Sequence, residues 1–171
     1  MCNVQKNNVS SDAETVKELE RVLYGGKRFG NHVDEVWPNL FIADMSAAND
    51  RYGLWKLGIT HVLNVAHGKA YCQADDSTHF DLNVYFKPAA DFIHKALKTS
   101  DGKVLVHCIM GMSRSSTLVL AYLMLYHHIP LRHALQEVVK KRAVYPNRNF
   151  LALLLDLDLQ LRGKRKACVI L

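Results

Sequence analysis

No stretch of this 171-residue chain is long and apolar enough to span a membrane. Its first residues, Met1-Cys-Asn-Val-Gln-Lys-Asn-Asn8, lack the apolar core of a secretory signal. Cysteine is scarce, and the four present (Cys2, Cys72, Cys108, Cys168) show neither paired spacing nor a CxxC pattern. A disulfide scaffold and a zinc knuckle are therefore not expected; a reduced, cytoplasmic setting is, where a thiol can serve as a nucleophile. HExxH is missing, and His127 and His128 are adjacent rather than one helical turn apart, so no metal or cofactor site is expected. Repeats and low-complexity segments are absent too. Acidic residues stop at Asp158, so Arg162, Lys164, Arg165 and Lys166 carry four of the net +6 charges and leave +2 for residues 1–161. A body that near neutral, with scattered lysines and arginines, gives no sign of a nucleic-acid face. What is left is a chain of a size to fold as one domain around a single core.

What is present is concentrated in Val104-Leu-Val-His-Cys108-Ile-Met-Gly-Met-Ser-Arg114-Ser115. The apolar run of Val104, Leu105 and Val106 reads as a buried parallel strand. Cys108 then falls at its C-terminal edge, where open α/β sheets bind ligands. A helix starting near Arg114 aims its free N–H groups back at the loop, which makes an anion site. Positive charge and a helix N-terminus favour a thiolate. Arg114 adds a planar, permanently charged fork able to grip two phosphate oxygens. The backbone N–H groups of Ile109, Met110, Gly111, Met112 and Ser113 complete a cradle around a nucleophile. A buried core cysteine beside a surface arginine is the plainer alternative, but strand, loop and helix coincide here in the order the chemistry requires.

Ser11-Asp-Ala-Glu-Thr15 opens a helix predicted through Leu23 and ended by Gly25-Gly26. Strands are predicted at Glu35–Ala43 and Thr60–Val65, with a helix near Ala47–Leu57 between them. Another helix, near Val84–Leu97, leads to the strand before Cys108. Helices follow near Ser115–His127, Leu131–Lys141 and Phe150–Leu161. Apolar residues at 131, 134, 135, 138 and 139 trace one face of the second of these. Early strands and a helical second half argue for an α/β fold, a central, mostly parallel sheet flanked by helices. The expected organisation is a flexible N-terminus over 1–13, a domain over 14–161 and a basic tail over 162–171.

The loop, together with His32-Val-Asp-Glu-Val-Trp-Pro-Asn-Leu-Phe-Ile-Ala43, Gly58-Ile-Thr-His-Val-Leu-Asn64, Ala89-Ala-Asp-Phe-Ile-His94, Leu118-Val-Leu-Ala-Tyr-Leu-Met124 and Pro146-Asn-Arg-Asn-Phe150, resembles the cysteine-dependent protein phosphatases. Within them the chain is similar to the small atypical dual-specificity enzymes, closest to the muscle- and testis-type subgroup, over about residues 14–162. The resemblance implies a phosphatase of phosphotyrosine and phosphoserine or phosphothreonine that works through a cysteinyl-phosphate. Its partners would be phosphoproteins, kinases among them. The resemblance singles out Asp76, from the pair Asp75-Asp76, as general acid and later base; by itself an aspartate in a polar loop is as often just solvated. It makes Ser115 a donor that eases departure of the thiolate, although Ser115 would also serve as a helix N-cap. His107 reads as an orienting residue rather than a proton donor. Ile109, Met110 and Met112 are neutral, which argues against a polyphosphoinositide substrate. Asn149 stands where the family usually has glycine.

Between Val65 and the acidic pair, similar proteins insert a loop, a short helix and a strand, whereas here Ala66-His-Gly-Lys-Ala-Tyr-Cys-Gln-Ala74 is all that intervenes. One strand of the family sheet is therefore expected to be missing, with sheet edges uncovered. From this follows an alternative, a phosphoprotein-binding scaffold whose acid loop is mis-set. At the other end, Cys168-Val-Ile-Leu171 after Arg162-Gly-Lys-Arg-Lys166 has the form of a geranylgeranyl-type prenylation box behind a basic run. It sets up the expectation of a cytoplasmic protein that reaches a membrane surface through Cys168, without excluding the nucleus.

Overall fold

The computed structural model describes residues 8–66 and 81–169, with the side chains of 15–66 and 81–164. Asp75, Asp76, Cys72 and the shortened segment after Ala66 lie outside the described residues, as does the side chain of Cys168.

Helix α1 (Asn8–Tyr24) precedes β1 (Val33–Trp37) and β2 (Leu40–Ala43). A single strand over Glu35–Ala43 was the sequence expectation; it is instead an antiparallel hairpin. Pro38-Asn39 makes the turn: Asn39 takes φ 62, which Asn tolerates, and its N–H donates to Glu35 Oε1 at 2.8 Å. The expected helix over Ala47–Leu57 is likewise two, α2 (Met45–Asn49) and α3 (Arg51–Leu57). Each has its own aspartate cap, Asp44 accepting from the Ala47 N–H and Asp50 from the Gly53 N–H. Gly58, at φ 74, closes α3 in the left-handed conformation and turns the chain into β3 (His61–Asn64).

A 3-10 turn at Leu82–Tyr85, capped by Asp81, leads into α4 (Phe86–Leu97), where Pro88 sits harmlessly in the first turn. Then come β4 (Val104–His107), α5 (Arg114–Tyr126), α6 (Leu131–Lys141) and α7 (Arg148–Val169). Helix α7 runs past the expected end at Leu161. Arg162, Gly163 and Lys164 extend it as exposed residues beyond the packed part.

The four strands order as β1-β2-β4-β3, antiparallel between β1 and β2 and parallel elsewhere. Ala43, His107 and Asn64 share one register level. The parallel strands therefore end together, and Cys108 follows directly at that rim. Alternation along the strands sends Leu40, Ile42, Val104 and Val106 into the main core with α4, α5, α6 and α7. Phe41, Ala43 and Leu105 face the other way, under Ala47, Ala48 and Leu54 of α2 and α3. Ser115 through Met124 are all buried, so α5 is the central helix and needs no polar face.

Among the described residues no strand pairs with the outer edge of β3. Val62 there is 42% exposed, and beside it opens a cavity of about 300 Å³ lined by Val62, Leu63, Val65, Leu82, Tyr85 and Phe92 among others.

Candidate active site

The loop after β4 has its carbonyls turned outward and occupied. Met45 N–H donates to Ile109 O at 3.0 Å, and Arg142 Nη2 to Met110 O at 3.4 Å. Arg142 Nε donates to Gly111 O at 2.8 Å. Met112 O accepts from the Tyr145 N–H at 2.8 Å and the Ser116 hydroxyl at 2.6 Å. Ser113 O accepts from the Thr117 N–H and hydroxyl. In a trans peptide the carbonyl and the following N–H point opposite ways. Fixing five carbonyls outward therefore turns the N–H groups of Met110 to Arg114 toward the concave side, a nest for an anion at the start of α5.

Cys108 faces that concavity, with 2% of its surface exposed. The Gly111 N–H donates to its Sγ at 3.1 Å, and the Ser115 hydroxyl lies 3.2 Å from it. Burial pushes the thiol up. The Ser115 hydroxyl, then the amides of Ser115, Gly111 and Met112, outweigh burial and hold the pKa below its ordinary value. Gly111 takes φ 67, and a Cβ there would lie 2.6 Å from both Ala43 O and Arg142 Nη2. No other residue fits this turn. Ile109 and Met110 are exposed at the mouth, giving a shallow, apolar rim.

The Gly111 amide and the Ser115 hydroxyl thus meet on the Cys108 sulfur, and Arg114 stands as the first residue of α5 at the end of the loop. The N-cap position of α5 is held by Ser113 rather than Ser115, whose hydroxyl lies beside Cys108 Sγ. His107 is buried, with Nδ1 3.4 Å from Cys108 O. Asn149 sits in the first turn of α7 and is not among the non-glycine residues of positive φ, so replacing the family glycine strains nothing. Asp76 and Cys168 cannot be placed relative to this site, since both lie outside the described side chains.

Arg142, Asp34, Met45 and Tyr145, which hold the loop from outside, were not foreseen. One signal existed. The apolar stripe of α6 at 131, 134, 135, 138 and 139 reaches 142 at its next step, and a charge in that phase points to a buried partner.

The profile described as "Dual specificity phosphatase, catalytic domain" matches residues 40–160. Human "Dual specificity protein phosphatase 26" is 52% identical over 162 residues, covering 86% of this chain and 77% of its own length. The cattle protein of the same name is 51% identical over the same span. The crystal structure of human DUSP28 superposes with a TM-score of 0.70 at 27% identity, covering 78% of this chain and 97% of that one. Since 86% of 171 residues is about 147, about fifteen of the 162 aligned positions in the human relative have no counterpart here. That deficit has the size of a strand with its connections.

Proposed function

This chain belongs to the dual specificity phosphatase family and is a protein phosphatase; from that premise we propose how its residues divide the reaction. The Cys108 thiolate attacks phosphorus, an S–P bond forms, and the P–O bond to the serine, threonine or tyrosine oxygen breaks. Asp76 gives its proton to that leaving oxygen. Its carboxylate then takes a proton from water, whose oxygen attacks the cysteinyl-phosphate. The S–P bond breaks, inorganic phosphate leaves, and the Ser115 hydroxyl donates to the returning thiolate. Arg114 and the loop amides hold the three equatorial oxygens throughout, where transition-state charge spreads. The observation that carries this reading is the convergence of the Gly111 N–H and Ser115 hydroxyl on one buried sulfur.

The exposed Ile109–Met110 rim supports a shallow cleft open to both aryl and alkyl phosphate esters. Kinases, whose activation loops are ordered by phosphorylated threonine and tyrosine, are the phosphoproteins to try first. The protein is expected to release phosphate from phosphotyrosine and phosphothreonine peptides alike. Asp76→Asn should slow both about 10²-fold, yet hardly affect an activated aryl phosphate whose leaving group needs no proton. A loss on the activated aryl phosphate as large as that on the peptides, or no loss on the peptides, would remove Asp76 from the acid role.

The tail supports a further proposal, a cytoplasmic protein tethered to anionic membrane. One lipid on Cys168 and the basic residues Arg162, Lys164, Arg165 and Lys166 make the two signals that durable anchoring needs. In cells fed a tagged isoprenoid, the intact chain is expected to take up label and sediment with membranes, and Cys168→Ser to do neither. An unlabelled intact chain would end the idea.

A further inference from the structure

We propose that Arg142 is a positioning residue for phosphoryl transfer, holding the Met110 and Gly111 carbonyls outside the loop so that the amides inside it face sulfur and phosphate. The inference rests on the reading of Cys108 as nucleophile. Arg142 is 3% exposed at the end of α6. Nε donates to Gly111 O at 2.8 Å and Nη2 to Met110 O at 3.4 Å. Nη1 donates to Asn31 O at 2.6 Å and to Asp34 Oδ2 at 2.8 Å.

The same residue, Gly111, thus has its carbonyl held by Arg142 on one side and its N–H on Cys108 Sγ, at 3.1 Å, on the other. Glycine in the left-handed conformation has the widest freedom of any residue in the loop. Without a clamp its peptide planes could turn, which would take the amide off the sulfur. Asp34, on β1, sets the guanidinium in place and neutralises it, tying the loop to the sheet's far edge.

Stability alone does not account for this arrangement. Position 142 continues the apolar stripe of α6, and a well-packed hydrophobic side chain is commonly as stabilising as a buried ion pair. Arginine brings a rigid fork that satisfies two carbonyls of the loop and a carboxylate at once. Lysine, a point charge on a flexible stem, cannot reproduce it.

Among the described residues, the charged and titratable groups bordering the loop are His107 at the end of β4, Arg114 on α5, Tyr145 at Met112, the His32–Asp44 pair at the start of α2, and Arg142 with Asp34. Of these, Arg142 is the one hydrogen-bonded to the carbonyl of the residue whose amide meets the sulfur.

The test compares wild type, Arg142→Lys, Arg142→Gln and Asp34→Asn. Each is checked for folding by circular dichroism, then assayed for kcat and KM on an aryl phosphate and for the pH midpoint of Cys108 alkylation. Arg142→Gln is expected to lose about 10²-fold in kcat, the scale of an ångström-sized misplacement, and Arg142→Lys about 10-fold, with KM moving less. The alkylation midpoint should rise in both, because a misaimed Gly111 amide no longer favours the thiolate. Asp34→Asn, which keeps a hydrogen-bond acceptor, should shift both readouts in the same direction but less. If Arg142→Gln does not fold, Arg142→Lys and Asp34→Asn decide. Folded variants with lowered melting points but wild-type kcat and alkylation midpoint would reduce Arg142 to a structural ion pair. Wild type without Cys108-dependent turnover would instead overturn the nucleophile reading on which this rests.

Discussion

Cys108→Ser is expected to abolish phosphate release while leaving phosphoprotein binding in place. The loss should reach about 10⁴- to 10⁶-fold in kcat, the scale seen when a nucleophile is removed from an otherwise intact site. The substitution keeps the shape at position 108, so the loop carbonyls remain held by Met45, Arg142, Tyr145 and Ser116 and the amides still face phosphate. What changes is the charge available at neutral pH. The Ser115 hydroxyl and three amides hold the Cys108 thiol below its ordinary value, whereas an alcohol in the same surroundings stays protonated. The sign of the pH dependence follows. Because the folded pKa is depressed, the thiolate persists as pH falls below the ordinary thiol range and is lost only on further acidification. Alkylation of Cys108 should therefore outpace that of Cys72 at neutral pH and fall off at a lower pH. A Cys108→Ser protein that still turned over, or a Cys108 no more reactive than Cys72, would remove the thiolate from the mechanism.

Arg114→Ala is expected to cost about 10³- to 10⁴-fold in kcat/KM, somewhat more than one neutral oxyanion donor, because charge and two bonds leave together. Arg114→Lys should recover little of this: it restores charge but not the planar fork. The fold should not suffer. Arg114 is the first residue of α5, where a cation opposes the helix dipole, so local stability gives no reason for an arginine there, in keeping with the phosphate-gripping role proposed for it. Steady-state kinetics beside a thermal melt would separate the two. Equal losses in melting temperature and in rate would point to a residue that supports the helix, not the substrate.

The nucleophile loop was legible because it is local. Strand end, cysteine, five-residue loop, arginine and helix start are contiguous from Val104 to Ser115, and local geometry follows from strand period, glycine and helix N-terminus. The helices α5 and α6 were legible for the same reason, from sustained apolar patterning. The hairpin at Pro38-Asn39 was not, since a two-residue turn inside an apolar run leaves the period of the run almost undisturbed. Nor was the break at Asp50, where two short capped helices read as one longer one.

A cysteine, a loop rich in free amides and an arginine lie within eight residues, and the α/β order that sets them at a strand end can be read along the same chain. How that loop is held is a matter of packing between distant elements. Gly111 and Arg142 are separated by 31 positions and Arg142 and Asp34 by 108, and they meet because α6 and β1 pack beside the loop. Contacts of that range leave no local pattern; they arise when burial of the sheet brings distant charges into one place, where each must find a partner.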